Sequence, residues 1–332
     1  MRGWQEVYDG GSPEAERQIF LDLAEKMLEI QESNRIKAGK DHHDRTLHSK
    51  MVVGVAQASL IVDAEIPAPF RVLHFQPGAA LPVAVRFSNA SAIPQSDAMP
   101  DMRGAALKIM LDGGDVHDLL LTSFPVSHAR NARQFVDFAM LAQGPRETFL
   151  PRLASRFGEA EAARMINNIQ QAARPCASFA LERFWSRGAI LWDTMPVRFE
   201  LRPMSTAASH ETIDAGPDAL RHEFTARLKS GSVSFRLAVQ PFVDEASTPI
   251  EDAGIEWRED VSAPVEIATL NIPAQDLDEA DAKARAAQID AMAFNPWNAP
   301  APFRPLGNLN RVRGVVYAAS SQRWQQRGHS KG

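Results

Sequence analysis

The chain has 332 residues, 45% hydrophobic and 23% charged, with 36 lysines and arginines against 41 aspartates and glutamates and a formal net charge of −5. This is an ordinary globular composition, and without a dense basic stripe nucleic acid is not expected as the main partner. The single cysteine, Cys176, excludes an intramolecular disulfide, a cysteine-rich zinc site and an iron–sulfur cluster, and with no readable signal or membrane span a soluble, cytoplasmic protein is expected.

Ser12-Pro13-Glu14 reads as an N-cap, a first-turn proline and an acidic first turn, and Ile19, Phe20, Leu23, Met27 and Ile30 follow at helical spacing. A helix over about residues 13–33 is predicted. From Met51 the pattern becomes short β-rich runs: MVVGVAQASLIV, FRVLHF, VAVRFS and GAALKIML, then a tight turn at Asp112-Gly113-Gly114-Asp115 leading into VHDLLLTSF. The connections are too short for crossover helices, so these strands are antiparallel. A helical block follows from about Ala132 to Ala173, with one segment opening at PRETFL and another at GEAEAARMINNIQQAAR. Strands are predicted again in AILWDTMPVRFELRP, LRHEFTARLK, SVSFRLAVQPF and VEIATLNI, and from Pro273 the chain is helical and proline-punctuated.

No repeat or linker divides the sequence. One α+β domain is expected, built on a closed or nearly closed antiparallel barrel: residues 1–44 as a helical N-terminal extension, 45–272 as barrel with inserted helices, and 273–332 as C-terminal helices.

Only two tyrosines are present, Tyr8 and Tyr317, and Tyr317 stands four residues after Arg313 in the final helix, which Asn308 or Asn310 can cap. A guanidinium beside a phenol favours the phenolate, a good hard ligand for ferric iron. The alternative is an arginine packed along a buried tyrosine. His48 lies in Arg45-Thr46-Leu47-His48-Ser49-Lys50, at the entrance to the first barrel strand. His42, His43, His74, His117, His128, His210, His222 and His329 have no partner at persuasive spacing, and a metal cluster of His42, His43 and His48 lacks its carboxylates. Val85-Arg86-Phe87-Ser88-Asn89, Asp101 through Lys108, Asp118 through Pro125 and Gln134 through Phe138 are, singly, ordinary strands or helices. Cys176 reads as a buried small residue.

Taken in order, R-x-x-H-x-K, V-R-F-S, D-x-R-G-x-A-x-K, D-L…P-V, F-x-D-F and the late R-x-x-x-Y resemble the haem catalase family, and the terminal FNPWNAPAPFRPLGNLNRVRGVVY is similar to the short bacterial catalase-related proteins. The resemblance runs from about Arg45 to Trp324 and leaves no room for the family's wrapping segments and extra C-terminal domain. It implies a closed antiparallel barrel with flanking helices, and haem b bound between the barrel and the C-terminal helix.

By this resemblance Tyr317 is the axial iron ligand supported by Arg313, His48 is the distal acid–base oriented by Ser88, and Arg45 and Arg86 pair with the haem propionates. Phe135 matches the aromatic lying against the porphyrin, and Arg323 is near the place of a third propionate arginine but out of register. Ser123 falls where catalases carry a distal asparagine, and a hydroxyl offers one donor in place of two. Weak catalase and stronger peroxidase activity are therefore expected, on hydrogen peroxide or an organic hydroperoxide with a small-molecule reductant. The resemblance allows a homo-oligomer. The rival readings are an allene-oxide-synthase-like hydroperoxide isomerase or dehydratase, a non-catalytic haem carrier or sensor, and a barrel binding an apolar ligand without iron.

Overall fold

The structure, a computed structural model, describes residues 3–205 and 216–325. The N-terminal helix α1 (Pro13–Lys37) begins as the sequence predicts, with Ser12 accepting from the Ala15 amide, and buries Phe20, Leu23, Met27 and Ile30 along one face. Strands β1 (Met51–Val62), β2 (Ala80–Asn89), β3 (Arg103–Met110) and β4 (Val116–Thr122) form an antiparallel meander, and the Asp112–Gly114 turn joins the last two. Helices α2 (Ala132–Ala142), α3 (Phe149–Phe157) and α4 (Glu159–Ala172) follow. The second set of strands is β5 (Phe184–Ser186), β6 (Ile190–Trp192), β7 (Met195–Pro203), β8 (Val233–Pro241) and β9 (Val265–Ile272), with α5 (Ala219–Ser230) between β7 and β8. The chain ends in α6 (Ala280–Ala291) and α7 (Asn308–Gln325).

The sheet order is β5-β4-β3-β2-β1-β9-β8-β7-β6, and β5 also pairs with β7. That extra pairing closes an eight-stranded antiparallel barrel, with β6 carried outside the ring on β7. Closure leaves the ring without an unpaired edge. Odd-numbered residues of β2, β3 and β4 point inward: Val85, Phe87, Ala105, Leu107 and Leu119 are all at most 2% exposed. Around Phe87 the rings of Phe179, Phe184, Phe224 and Phe235 lie with centroids 5.0–6.1 Å away, so the barrel interior is filled by packed side chains.

Two predicted strands are not strands. LRHEFTARLK is helix α5, whose buried Leu220, Phe224 and Leu228 recur every four residues and face the barrel core. A spacing of four satisfies both a strand period of two and a helical face, so the pattern alone does not separate them. FRVLHF forms turns: Phe70 closes a 3-10 turn, Leu73 has a positive φ of 47°, and the buried Phe75 packs on Trp192 and Phe303. The expected caps of the last helix also differ. Gly307 accepts from the amides of Asn310 and Arg311, while Asn308 and Asn310 use their side chains elsewhere.

Candidate functional site

The even-numbered residues of β2, β3 and β4 face outward, and they build one wall of a cavity of about 420 Å³ that α1, α2 and α7 cover. Two rungs of the sheet make this wall. Arg86 pairs with Ala106 and Ala106 with Leu120, and one rung along, Ser88 pairs with Gly104 and Gly104 with Thr122. Residues opposite one another on adjacent strands share a face, so each rung presents three neighbouring positions to the cavity.

His48 lies over the second rung. Its Nδ1 is 3.0 Å from Ser88 Oγ, and a Cβ placed on Gly104 would fall 2.5 Å from that nitrogen. The glycine is therefore what lets an imidazole rest on the sheet here. His48 has a φ of 55°, an uncommon conformation for a residue with a side chain, fixed because its amide donates to Ala90 O and its carbonyl accepts from Arg86. Burial, then the charges of Arg86, Arg187, Arg313 and Arg45, depress the His48 pKa to about 3, so the ring is neutral near pH 7.

Tyr317 enters from α7. Its hydroxyl accepts from Arg313 Nε at 3.2 Å and from a terminal guanidinium nitrogen at 3.1 Å. Asn310 in turn accepts from Arg313 at 3.0 Å and donates to Ala189 O at 2.9 Å. A side chain on Gly188 would bring its Cβ within 2.8 Å of that carboxamide, and one on Gly314 within 2.8 Å of the Trp297 ring, whose Nε1 donates to Asn310 O. Two glycines thus set how closely α7 approaches its neighbours.

Arg45 and Arg86 also line the cavity. Arg45 donates to the carbonyls of Asp290 and Met292 at the C-terminal end of α6, and Arg86 makes a 3.2 Å ion pair with Asp290. Burial lowers the Arg86 pKa, opposed by Asp290. Phe135 and Val136 of α2, with Leu309, Val312 and Val316 of α7, supply apolar surface.

Most of the predicted site residues therefore meet at one cavity, and two do not. Ser123 is 2% exposed and outside the lining; its hydroxyl accepts from the Arg103 amide and its own amide donates to Arg103 O, extending the β3–β4 ladder. Thr122 is the residue that faces the cavity, because a shift of one position along a strand moves the side chain to the other face. Arg323 is likewise outside the lining and donates to Leu28 O at 3.0 Å on α1. His210 and His329 lie outside the described residues. Sequence reading missed Arg187, which lines the cavity, and the bridging role of Asn310. Period-two alternation from Ser88 and Gly104 could have found Thr122, whereas nothing local marks Arg187.

The arrangement offers a buried neutral imidazole as a proton acceptor, a phenol oxygen supported by a guanidinium as a donor atom for a hard metal, and cations for carboxylates. Among the described residues no cluster of three histidine, cysteine or carboxylate side chains could hold a metal ion by itself, and no helix is long and apolar enough to cross a membrane.

Solved structures superpose on this architecture. A bacterial catalase matches 91% of the chain with a TM-score of 0.63 at 17% identity, and a fungal catalase matches 87% with a TM-score of 0.65 at 16% identity. The chain has the catalase fold. Catalase A from Saccharomyces cerevisiae matches 97% of it, with a TM-score of 0.64 and 14% identity. The chain covers 61% of the bacterial catalase and 60% of the fungal one, so it spans only part of their length. In sequence it is similar to a catalase-related peroxidase of Mycolicibacterium paratuberculosis, 28% identical over 254 residues that cover 73% of the chain and 78% of the relative. No family model matches the chain.

Proposed function

We propose that the chain is a haem-dependent oxidoreductase that consumes peroxide, as the name of its catalase-related peroxidase relative suggests. The observation that carries this reading is the pairing, at one cavity, of His48 held by Ser88 on the barrel wall with Tyr317 held by Arg313 on α7. The donor set suits haem: Tyr317 for the iron, Arg45 and Arg86 for the two carboxylates, and Phe135, Val136, Val312 and Val316 for the ring. When bound, haem would supply the two electrons that cleavage of the O–O bond consumes.

The protein's own part is proton handling. With the proton on Nδ1 donated to Ser88, the other ring nitrogen of His48 carries a lone pair that takes a proton from peroxide. Burial and four nearby arginines penalise the imidazolium, so the proton passes on readily to the departing oxygen, which leaves as water. Two charge-assisted hydrogen bonds from Arg313 stabilise negative charge on the Tyr317 oxygen. Thr122 offers this wall a single hydroxyl where the resemblance to catalases leads one to expect a two-donor carboxamide, which supports peroxidase turnover with an organic reductant, or an organic hydroperoxide as substrate, over disproportionation of hydrogen peroxide.

The test is the ultraviolet–visible spectrum of protein expressed with haem, before and after peroxide. A haem band that changes on addition of peroxide is expected. Tyr317→Phe is expected to lose most of the haem and His48→Ala to keep it while losing the peroxide response. An unchanged haem spectrum in Tyr317→Phe rejects the proximal assignment, and rapid oxygen evolution at high turnover rejects the peroxidase preference.

A further inference from the structure

One cation in the cavity, Arg187, has no place in the resemblance and enters the chemistry of His48 only through its charge. Arg187 follows β5 directly, and its Nε donates to Thr122 Oγ1 at 2.8 Å. One terminal nitrogen reaches Val126 O and the other the sulfur of Met102, so its contacts fall on Thr122 of the second wall rung and on the residues just outside β3 and β4. Among the described residues no carboxylate pairs with it. Burial and the charge of Arg313 lower its pKa to about 10, which leaves it a cation near pH 7.

The contact with Thr122 has a directional consequence. Arg187 is only a donor, so Thr122 Oγ1 must accept, and the hydroxyl hydrogen has to point elsewhere. Among the described residues its hydroxyl donates to Phe124 O at 3.3 Å, a long bond for a hydroxyl donor and one that a better-placed ligand atom can replace. Thr122 sits directly opposite Gly104, the position His48 rests on, one strand spacing of about 5 Å away, and its side chain leaves the sheet on the same face. We propose that Arg187 is a positioning residue that commits Thr122 as a hydrogen-bond donor beside His48, so that the pair grips the two oxygens of a peroxide and favours ligands that accept a hydrogen bond.

This rests on the haem reading above, and the experiment separates the two. Fluoride and carbon monoxide are titrated spectroscopically into haem-loaded protein and into Thr122→Val, Arg187→Met, Arg187→Gln and the Thr122→Val/Arg187→Met double variant; fluoride bound to ferric haem accepts a hydrogen bond, whereas carbon monoxide on ferrous haem depends on one much less. Loss of one hydrogen bond predicts a fluoride Kd raised roughly five- to tenfold in Thr122→Val and in Arg187→Met, and no further rise in the double variant. Carbon monoxide affinity is expected to stay within about twofold throughout, and Arg187→Gln, which keeps an amide donor, to lie between. Unchanged fluoride binding in both Arg187 variants, additive losses in the double variant, or equal losses for the two ligands each overturn the proposal while leaving the haem reading intact. Failure of the unsubstituted protein to retain haem overturns that reading, and this one with it.

Discussion

At the residue scale the site depends on an absence. Gly104 has no side chain where His48 and Ser88 need room, and the 2.5 Å gap to Nδ1 means that even a methyl group must displace the imidazole. On the proposed haem reading, Gly104→Ala is therefore expected to fold, to keep haem and to react with peroxide about 10²-fold more slowly, since a misplacement of about 1 Å at the reacting group costs that much; stopped-flow measurement of the peroxide-induced spectral change reads it. A rate within threefold of the parent protein would show that the histidine is not held by this fit. The sequence grouped His48, Ser88, Arg45, Arg86, Arg313 and Tyr317, which line one cavity, because each stands in a run whose order is specific. It misplaced the polar wall residue by one position, onto Ser123, because counting from Pro125 and Phe135 crosses the end of β4, where the alternation that orients Thr122 stops. Arg187 carried no such signal: what makes it part of the site is the pairing of β5 with β4, a contact between residues about 65 positions apart.

At the scale of elements, one strand residue latches a cavity-lining loop. Asp118 of β4 accepts from Lys108 Nζ at 2.6 and 2.8 Å, from the Asn295 amide and from Asn298 Nδ2, and its own amide donates to Asn298 O. Asn295 and Asn298 border the cavity, so the latch holds one side of it in place. Burial raises the Asp118 pKa, against Lys108 and the amide donors. Asp118→Ala strands a buried lysine and is expected to cost about 3–5 kcal/mol by urea denaturation, most of it recovered in Asp118→Ala/Lys108→Met. Equal losses in the single and double variants would show that the loop contacts, and not the charge, hold the latch. The barrel strands other than β5, the N-terminal helix and the helical block were legible because their apolar periods are long and bounded by turn residues, whereas the three-residue β5 that closes the ring is too short to show a period. Helix α5 was not, because Leu220, Phe224 and Leu228 fit two periods at once and only the barrel end they fill decides between them.

At the scale of the whole molecule, several histidines are folded in neutral. Burial holds His48, His117 and His128 down to about 3, the first and last with help from nearby arginines and His117 with a contribution from His74, itself lowered to about 4 by burial. Between these values and the unfolded value near ~6.5, the unfolded chain binds protons that the native chain does not. Stability is accordingly greatest above pH ~6.5 and falls as the pH drops towards 4, each such proton contributing a slope of about 1.4 kcal/mol per pH unit. Urea midpoints of the haem-free protein from pH 7.5 to 4.5 should fall throughout, and less steeply in His117→Phe; a flat profile would mean these rings are solvated. The closed barrel carries a further consequence. Because strand residues alternate, inward positions such as Val85, Phe87 and Leu119 answer to the core and outward ones such as Arg86, Ser88 and Leu120 answer to the cavity. The two sets of demands fall on different residues of the same strands. The outer wall can therefore be refurnished for another ligand or another reaction, one rung at a time, with the scaffold beneath it left unaltered.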